Sequence, residues 1–178
     1  VRVIPHDSLV AAPWANGGGI TREIAAERDA DGILWRLSLA DVGAEGPFSA
    51  FAGLQRILTV IEGAGMVLET PGAPIAAAPL APVRFAGDLA VTGRLPHGPI
   101  RDLNVIWRPG RVEAGVTVHS GPGDIAPAGG GGAVFLVSGA ARIGGRLLAP
   151  LTTVLDPDQP VVAEPGAQAL CITLRRRP

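Results

Sequence analysis

Apolar runs of about four to eight residues alternate with glycine and proline along nearly the whole chain, and this rhythm limits the fold more than any other feature. Runs of that length, rich in Val, Ile and Leu and bounded by turn residues, read as strands. No window carries a long helical period with capping residues at its ends. In the N-terminal part the expected strands are Val1–Ile4, Thr21–Ala26, Leu34–Val42, Gln55–Glu62, Met66–Glu69, Leu89–Gly93 and Leu103–Arg108. They continue as Arg111–Ser120, Ala133–Ser138, Ala141–Ile143, Leu147–Leu148, Thr152–Leu155, Val161–Val162 and Ala169–Arg175. The expected fold class is all-β.

A weak internal repeat divides the chain into two halves. Ile57-Leu58-Thr59-Val60-Ile61-Glu62-Gly63 parallels Ala133-Val134-Phe135-Leu136-Val137-Ser138-Gly139, and both turn on glycine into a short strand. Leu103 to Arg108 and Leu170 to Arg175 each close a half with an apolar strand ending in arginine. The expected units are residues 1–112, with the pocket, and residues 113–178. The glycine run at 129–132 reads as a loop, because no helix signal follows it to form a phosphate cradle.

Composition removes several functions. The single Cys171 excludes an internal disulfide and a cysteine-rich zinc site. All 15 basic residues are arginine and tyrosine is absent, so lysine Schiff bases, a P-loop lysine and a tyrosine acid are excluded. The net charge is −1, and the one basic cluster, Arg175 to Arg177, lies at the terminus, so nucleic acid is not an expected partner. No long apolar span suggests a membrane, and no basic segment leading into an apolar run opens the sequence, so the cytoplasm is the expected compartment.

The least random stretch is Pro13-Trp14-Ala15-Asn16-Gly17-Gly18-Gly19-Ile20-Thr21-Arg22-Glu23-Ile24-Ala25. Three consecutive glycines give up side-chain packing and cost backbone entropy, while permitting positive φ and close approach to the main chain. Two readings stand: a glycine bulge between strands with Trp14 in the core, or the rim or floor of a ligand pocket.

This stretch resembles the HutD/Ves family of bicupin proteins. Further matches are Trp35-Arg36-Leu37-Ser38-Leu39-Ala40, Gly46-Pro47-Phe48-Ser49-x-Phe51-x-Gly53-x-x-Arg56, Phe85-x-Gly87-Asp88 and Gly98-Pro99-x-x-Asp102-x-Asn104. The sequence departs from the family at Ala15, where a basic residue is expected. The resemblance implies two fused jelly-roll-like β-barrels or sandwiches. Laid on the metal-binding cupin pattern, the ligand positions fall on Ser49, Phe51, Arg56 and, more loosely, Arg101. None of these residues is a good ligand for a divalent transition metal, so no metal and no cofactor is expected.

Arg56 is the leading candidate. It opens a mostly apolar strand, where a buried guanidinium needs a partner: a structural carboxylate (Glu23, Asp88 or Asp102) or a ligand anion. Alternation places Arg36 and Ser38 together on one face, as pocket lining or towards solvent, and Asn104 reads either as a turn or strand-edge hydrogen bond or as a ligand contact. Trp14 and Phe51 would form apolar walls, with Asn16 and Ser49 as polar contacts.

The resemblance implies a non-catalytic protein that binds a small, formylglutamate-like anion and acts as a regulator, or governor, of histidine utilisation; a homodimer is compatible with it. The competing reading is a metal-independent isomerase or hydrolase using Glu23 or Asp102 with His97. A third is a purely structural or interaction protein.

Overall fold

The computed structural model describes residues 1–129 and 131–177; Gly130, inside the glycine run read as a loop, and Pro178 lie outside the described residues. The first elements are strands β1 (Arg2–Ile4), β2 (Ala11–Pro13), β3 (Gly19–Asp29), β4 (Gly32–Val42) and β5 (Gly46–Pro47). Then come β6 (Gln55–Glu62), β7 (Met66–Glu69), β8 (Ile75–Ala77), β9 (Val83–Ala86), β10 (Thr92–Arg94) and β11 (Ile100–Trp107). The remainder are β12 (Val112–Ser120), β13 (Gly123–Ile125), β14 (Gly132–Ser138), β15 (Ala141–Ile143), β16 (Arg146–Leu148), β17 (Thr153–Leu155), β18 (Val161–Ala163) and β19 (Gln168–Arg176). A 3-10 turn at His6–Ser8 is the one helical element among the described residues. The all-β expectation holds.

The chain separates into two units, residues 10–111 and residues 1–9 with 112–178. The first nine residues, expected in the N-terminal half, belong with the C-terminal one because β1 pairs antiparallel with β17, Val3 opposite Val154. A strand of only three residues, Arg2-Val3-Ile4, does not specify the sheet that will take it.

Each unit is a two-sheet sandwich. In residues 10–111 a six-stranded sheet, β2-β3-β4-β11-β6-β9, faces a four-stranded one, β5-β10-β7-β8. Their shared core contains Val42, Leu58, Val60, Met66, Leu68, Val91 and Ile100. The other unit has sheets β1-β17-β14-β19-β12 and β13-β18-β15-β16, packed through Ile125, Val134, Leu136, Ile143, Leu148, Val154 and Val161. The strands absent from the sequence reading, such as β5, β8, β9 and β13, are two to four residues long and too short to show an alternation.

Register around β11 fixes the placement of the polar residues. Ile106 lies between Arg36 on β4 and Arg56 on β6, Asn104 between Ser38 and Leu58, and Asp102 between Ala40 and Val60. Because side chains alternate along a strand, these three rows share one face, directed into the sandwich.

Candidate functional site

The glycine-rich stretch is the turn joining β2 to β3, and its backbone explains its composition. The Trp14 N–H donates to the Gly19 carbonyl at 2.9 Å, and the Gly17 N–H donates to the Trp14 carbonyl at 3.0 Å. Gly17 sits at φ 71°, and a Cβ on Gly19 would lie 2.5 Å from the Asp41 carbonyl oxygen and 3.1 Å from the Trp14 indole. Any side chain there would collide with that carbonyl and crowd the indole, so the position requires glycine. The Gly18 N–H donates to Asn16 Oδ1 at 3.0 Å, and Trp14 Nε1 donates to Thr21 Oγ1 at 2.8 Å. The turn therefore has a structural role and also carries Trp14 and Asn16 to the wall of a cavity.

That cavity, about 420 Å³, lies within residues 10–111. Trp14, Asn16, Arg36, Ser38, Ser49, Phe51, Arg56 and Asn104, the eight residues singled out in the sequence, all line it. Arg36 and Ser38 come from β4, Asn104 from β11 and Arg56 from β6; Ser49 and Phe51 come from the segment after β5. Thr21, Phe48 and Ile106 also line it. Of the two arrangements open for the Arg36 and Ser38 face, the cavity wall is the one realised. Asn104 sits at mid-sheet and not at a strand edge.

Arg56 is 8% exposed. Its guanidinium carbon lies 5.0 Å from the centroid of Phe48, 5.5 Å from Phe85 and 5.9 Å from Phe51, within cation–π range of all three rings. Its Nε donates to Asn104 Oδ1 at 2.7 Å, and Asn104 Nδ2 donates in turn to Asp102 Oδ1. A donor-only group on one side and a carboxylate on the other fix the orientation of the amide. The Nη groups of Arg56 have no acceptor among the described residues, although the side chain borders the cavity. Burial lowers the Arg56 pKa to about 10; Asp102 opposes that shift and Arg36 adds to it.

None of the three carboxylates considered for Arg56 pairs with it directly. Glu23 is taken by Arg28 at 2.7 Å and by Arg36 at 3.0 Å, and Asp88 is exposed. Asp102 reaches Arg56 only through Asn104. Asp102 is 1% exposed, and its Oδ2 is buried with no hydrogen-bond partner among the described residues. Burial raises its pKa to about 7 against the opposing pull of Arg56 and Asn104.

Two residues considered in the sequence stand elsewhere. Arg101, laid on a cupin ligand position, binds Asp41 and Glu62 and lines a separate depression. His97 is exposed and does not line the cavity, so no pair with Glu23 or Asp102 forms there. Among the described residues the cavity lining holds no His, Cys, Asp or Glu. Nor do three such residues gather anywhere among them to hold a metal. The lining offers guanidinium, hydroxyl and amide groups beside aromatic walls, a set suited to holding an anion. The sequence reading missed Phe48 and Phe85 as the shelf around Arg56; both lie inside motifs quoted above, and only the fold brings them to one place.

A sequence model of the HutD family matches residues 6–176. The chain belongs to the HutD family. HutD from Pseudomonas fluorescens SBW25, solved under a formate condition, is 35% identical and superposes with a TM-score of 0.84 over 98% of both chains. Protein Ves of Citrobacter koseri is 38% identical over 141 residues, 76% of this chain and 72% of that one. An uncharacterised 21.2 kDa protein from the hutC 3′ region of Pseudomonas putida is 47% identical over 107 residues, 57% of this chain. That match spans 55% of the relative, so the chain covers little more than half its length. The two sandwiches of this HutD-family chain have the cupin fold. Among the described residues no helix is long and apolar enough to cross a membrane.

Proposed function

We propose that the cavity of residues 10–111 binds a small, formylglutamate-like carboxylate without transforming it, and that the protein thereby acts as a governor of histidine utilisation. The observation that carries this reading is the Arg56 guanidinium: nearly buried, shelved on three phenylalanines, and without a directly bonded carboxylate. Removing an ion from water costs several kcal/mol, and each cation–π contact returns about 0.5–2 kcal/mol. A bidentate ligand carboxylate on the Nη groups would offset the remainder and use the planar fork. Ser38, Ser49 and Asn16 offer neutral hydrogen-bonding groups for the rest of such a ligand, and Trp14 and Phe51 offer apolar surface.

The association with histidine utilisation rests on HutD-family membership and on the relative from the hutC 3′ region. Titration calorimetry with N-formyl-L-glutamate, followed by chromatography of the recovered ligand, tests both parts. One ligand bound per chain and returned unchanged is the expected result. Conversion of the ligand would replace the reading with an enzymatic one, and the absence of binding would remove it.

A further inference from the structure

Next to the cavity lining, bonded to Asn104, stands a titratable group that the binding reading does not use. Asp102 lies beneath Asn104 with one oxygen held by the amide and the other buried without a partner. An ionised carboxylate in that position is costly unless a nearby positive charge compensates it. Arg56 is that charge, acting through Asn104, and the same charge is the one an incoming anion would take.

We infer that anion capture by Arg56 is coupled to protonation of Asp102, so that the protein takes up a proton together with its ligand. This inference rests on the anion-binding reading of the cavity. Without ligand, Arg56 holds part of the Asp102 charge in place. With a carboxylate on the Nη groups, Arg56 is neutralised, and a second negative charge stands near Asp102. Both changes favour the protonated form. Linkage then requires the converse: a proton on Asp102 raises affinity for the anion.

The charges around Asp102 agree with this direction. From β6, Arg56 favours the carboxylate; from β4, Asp41 disfavours it; on β11 itself, the Asn104 amide favours it. Asp41 is bound by Arg22 from β3 and Arg101 from β11, and Arg101 is also bound by Glu62 from β6, so those two arginines are committed to other carboxylates. The opposing sheet contributes Met66 and Leu68 from β7 to the core of the sandwich. With its ordinary value already raised to about 7, Asp102 can exchange a proton near neutrality.

The test is titration calorimetry of the full chain with N-formyl-L-glutamate, between pH 6 and pH 8, in buffers of different ionisation heat. The expected result is an apparent enthalpy that tracks the buffer, reporting uptake of up to one proton, and an affinity that falls about three- to tenfold from pH 6 to pH 8. Asp102→Asn, an isostere of the protonated acid, should bind at every pH with the affinity of the low-pH form and with no buffer dependence. If that variant does not fold, the carboxyl carbon signal of Asp102 in the native chain serves instead, and its titration midpoint should rise when ligand is added. Binding with buffer-independent heat and flat affinity overturns the coupling alone, as does proton uptake that survives Asp102→Asn or a midpoint that ligand does not move. Absence of binding at every pH overturns the anion-binding reading and the coupling with it.

Discussion

In the C-terminal unit, β14, β19 and β12 stand where β6, β11 and β4 stand in the N-terminal one, and their registers agree. Val105 lies opposite Ile57, and Ile172 opposite Ala133, the residues that the internal repeat aligns. Carrying that register along the strands sets Arg56 against Gly132, Asn104 against Cys171 and Asp102 against Ala169. On the outer partner strand, Arg36 corresponds to Gly115, since Ile106 faces the first and Thr173 the second. One architecture thus holds a polar row in one unit and glycine, cysteine and alanine in the other. The aliphatic core of the C-terminal unit demonstrates that the sandwich closes without buried charge. The polar row is therefore not a requirement of the fold, and residues that break a fold's own pattern are where function is expected.

The C-terminal row should not accept the N-terminal side chains. Gly132 has φ 140°, and a Cβ there would collide with the Ile172 carbonyl oxygen. Gly132→Arg should therefore fail to recreate a guanidinium site and should destabilise the chain by about 3 kcal/mol or more, combining backbone strain with a buried unpaired charge. Thermal melts check this; an unchanged melting temperature would mean that the two units tolerate the same row.

The N-terminal row should instead reveal itself through pH. Folded Asp102 binds its proton more tightly than the unfolded chain does, with its pKa raised from 3.8 to about 7. Its contribution to stability is complete below about pH 4 and is lost as pH rises towards 7, with a slope of at most about 1.4 kcal/mol per pH unit. Relative to the native chain, Asp102→Asn should lose this fall between pH 4 and pH 7. Denaturant unfolding across that range measures it, and identical slopes in the two proteins would mean that Asp102 does not titrate on folding.

Much of this arrangement could be read from the sequence because it rests on alternation. A strand reading of residues 34–42 puts Arg36 and Ser38 on one face whatever the tertiary structure, and Arg56 stands out because the residues after it are apolar. The internal repeat marks β6 and β14 from the sequence alone. Partner choice was not legible: β1 crosses to the other unit, and Arg101, adjacent to Asp102, points to Asp41 and Glu62 instead of the cavity. The shelf joins Phe48 and Phe51 of one segment to Phe85 on β9, a distant part of the chain, and no local pattern specifies such a meeting. The mediation of Asn104 between Arg56 and Asp102 was equally hidden, since strand periodicity places side chains on a face but does not orient an amide.

The central claim, that the Arg56 guanidinium is held ready for a ligand anion, is tested most directly by Arg56→Ala, with calorimetry and a thermal melt on the same preparation. Affinity for N-formyl-L-glutamate should fall at least tenfold, about 1.4 kcal/mol or more, because a charge-assisted and bidentate contact is lost. At about pH 6 the ligand-free variant should melt within about 3 °C of the native chain, since no carboxylate is directly bonded to Arg56 and Asp102, which it compensates through Asn104, is relieved by taking up a proton. An unchanged affinity together with destabilisation of about 3–5 kcal/mol would overturn it and leave Arg56 with no role beyond that of counter-charge for Asp102.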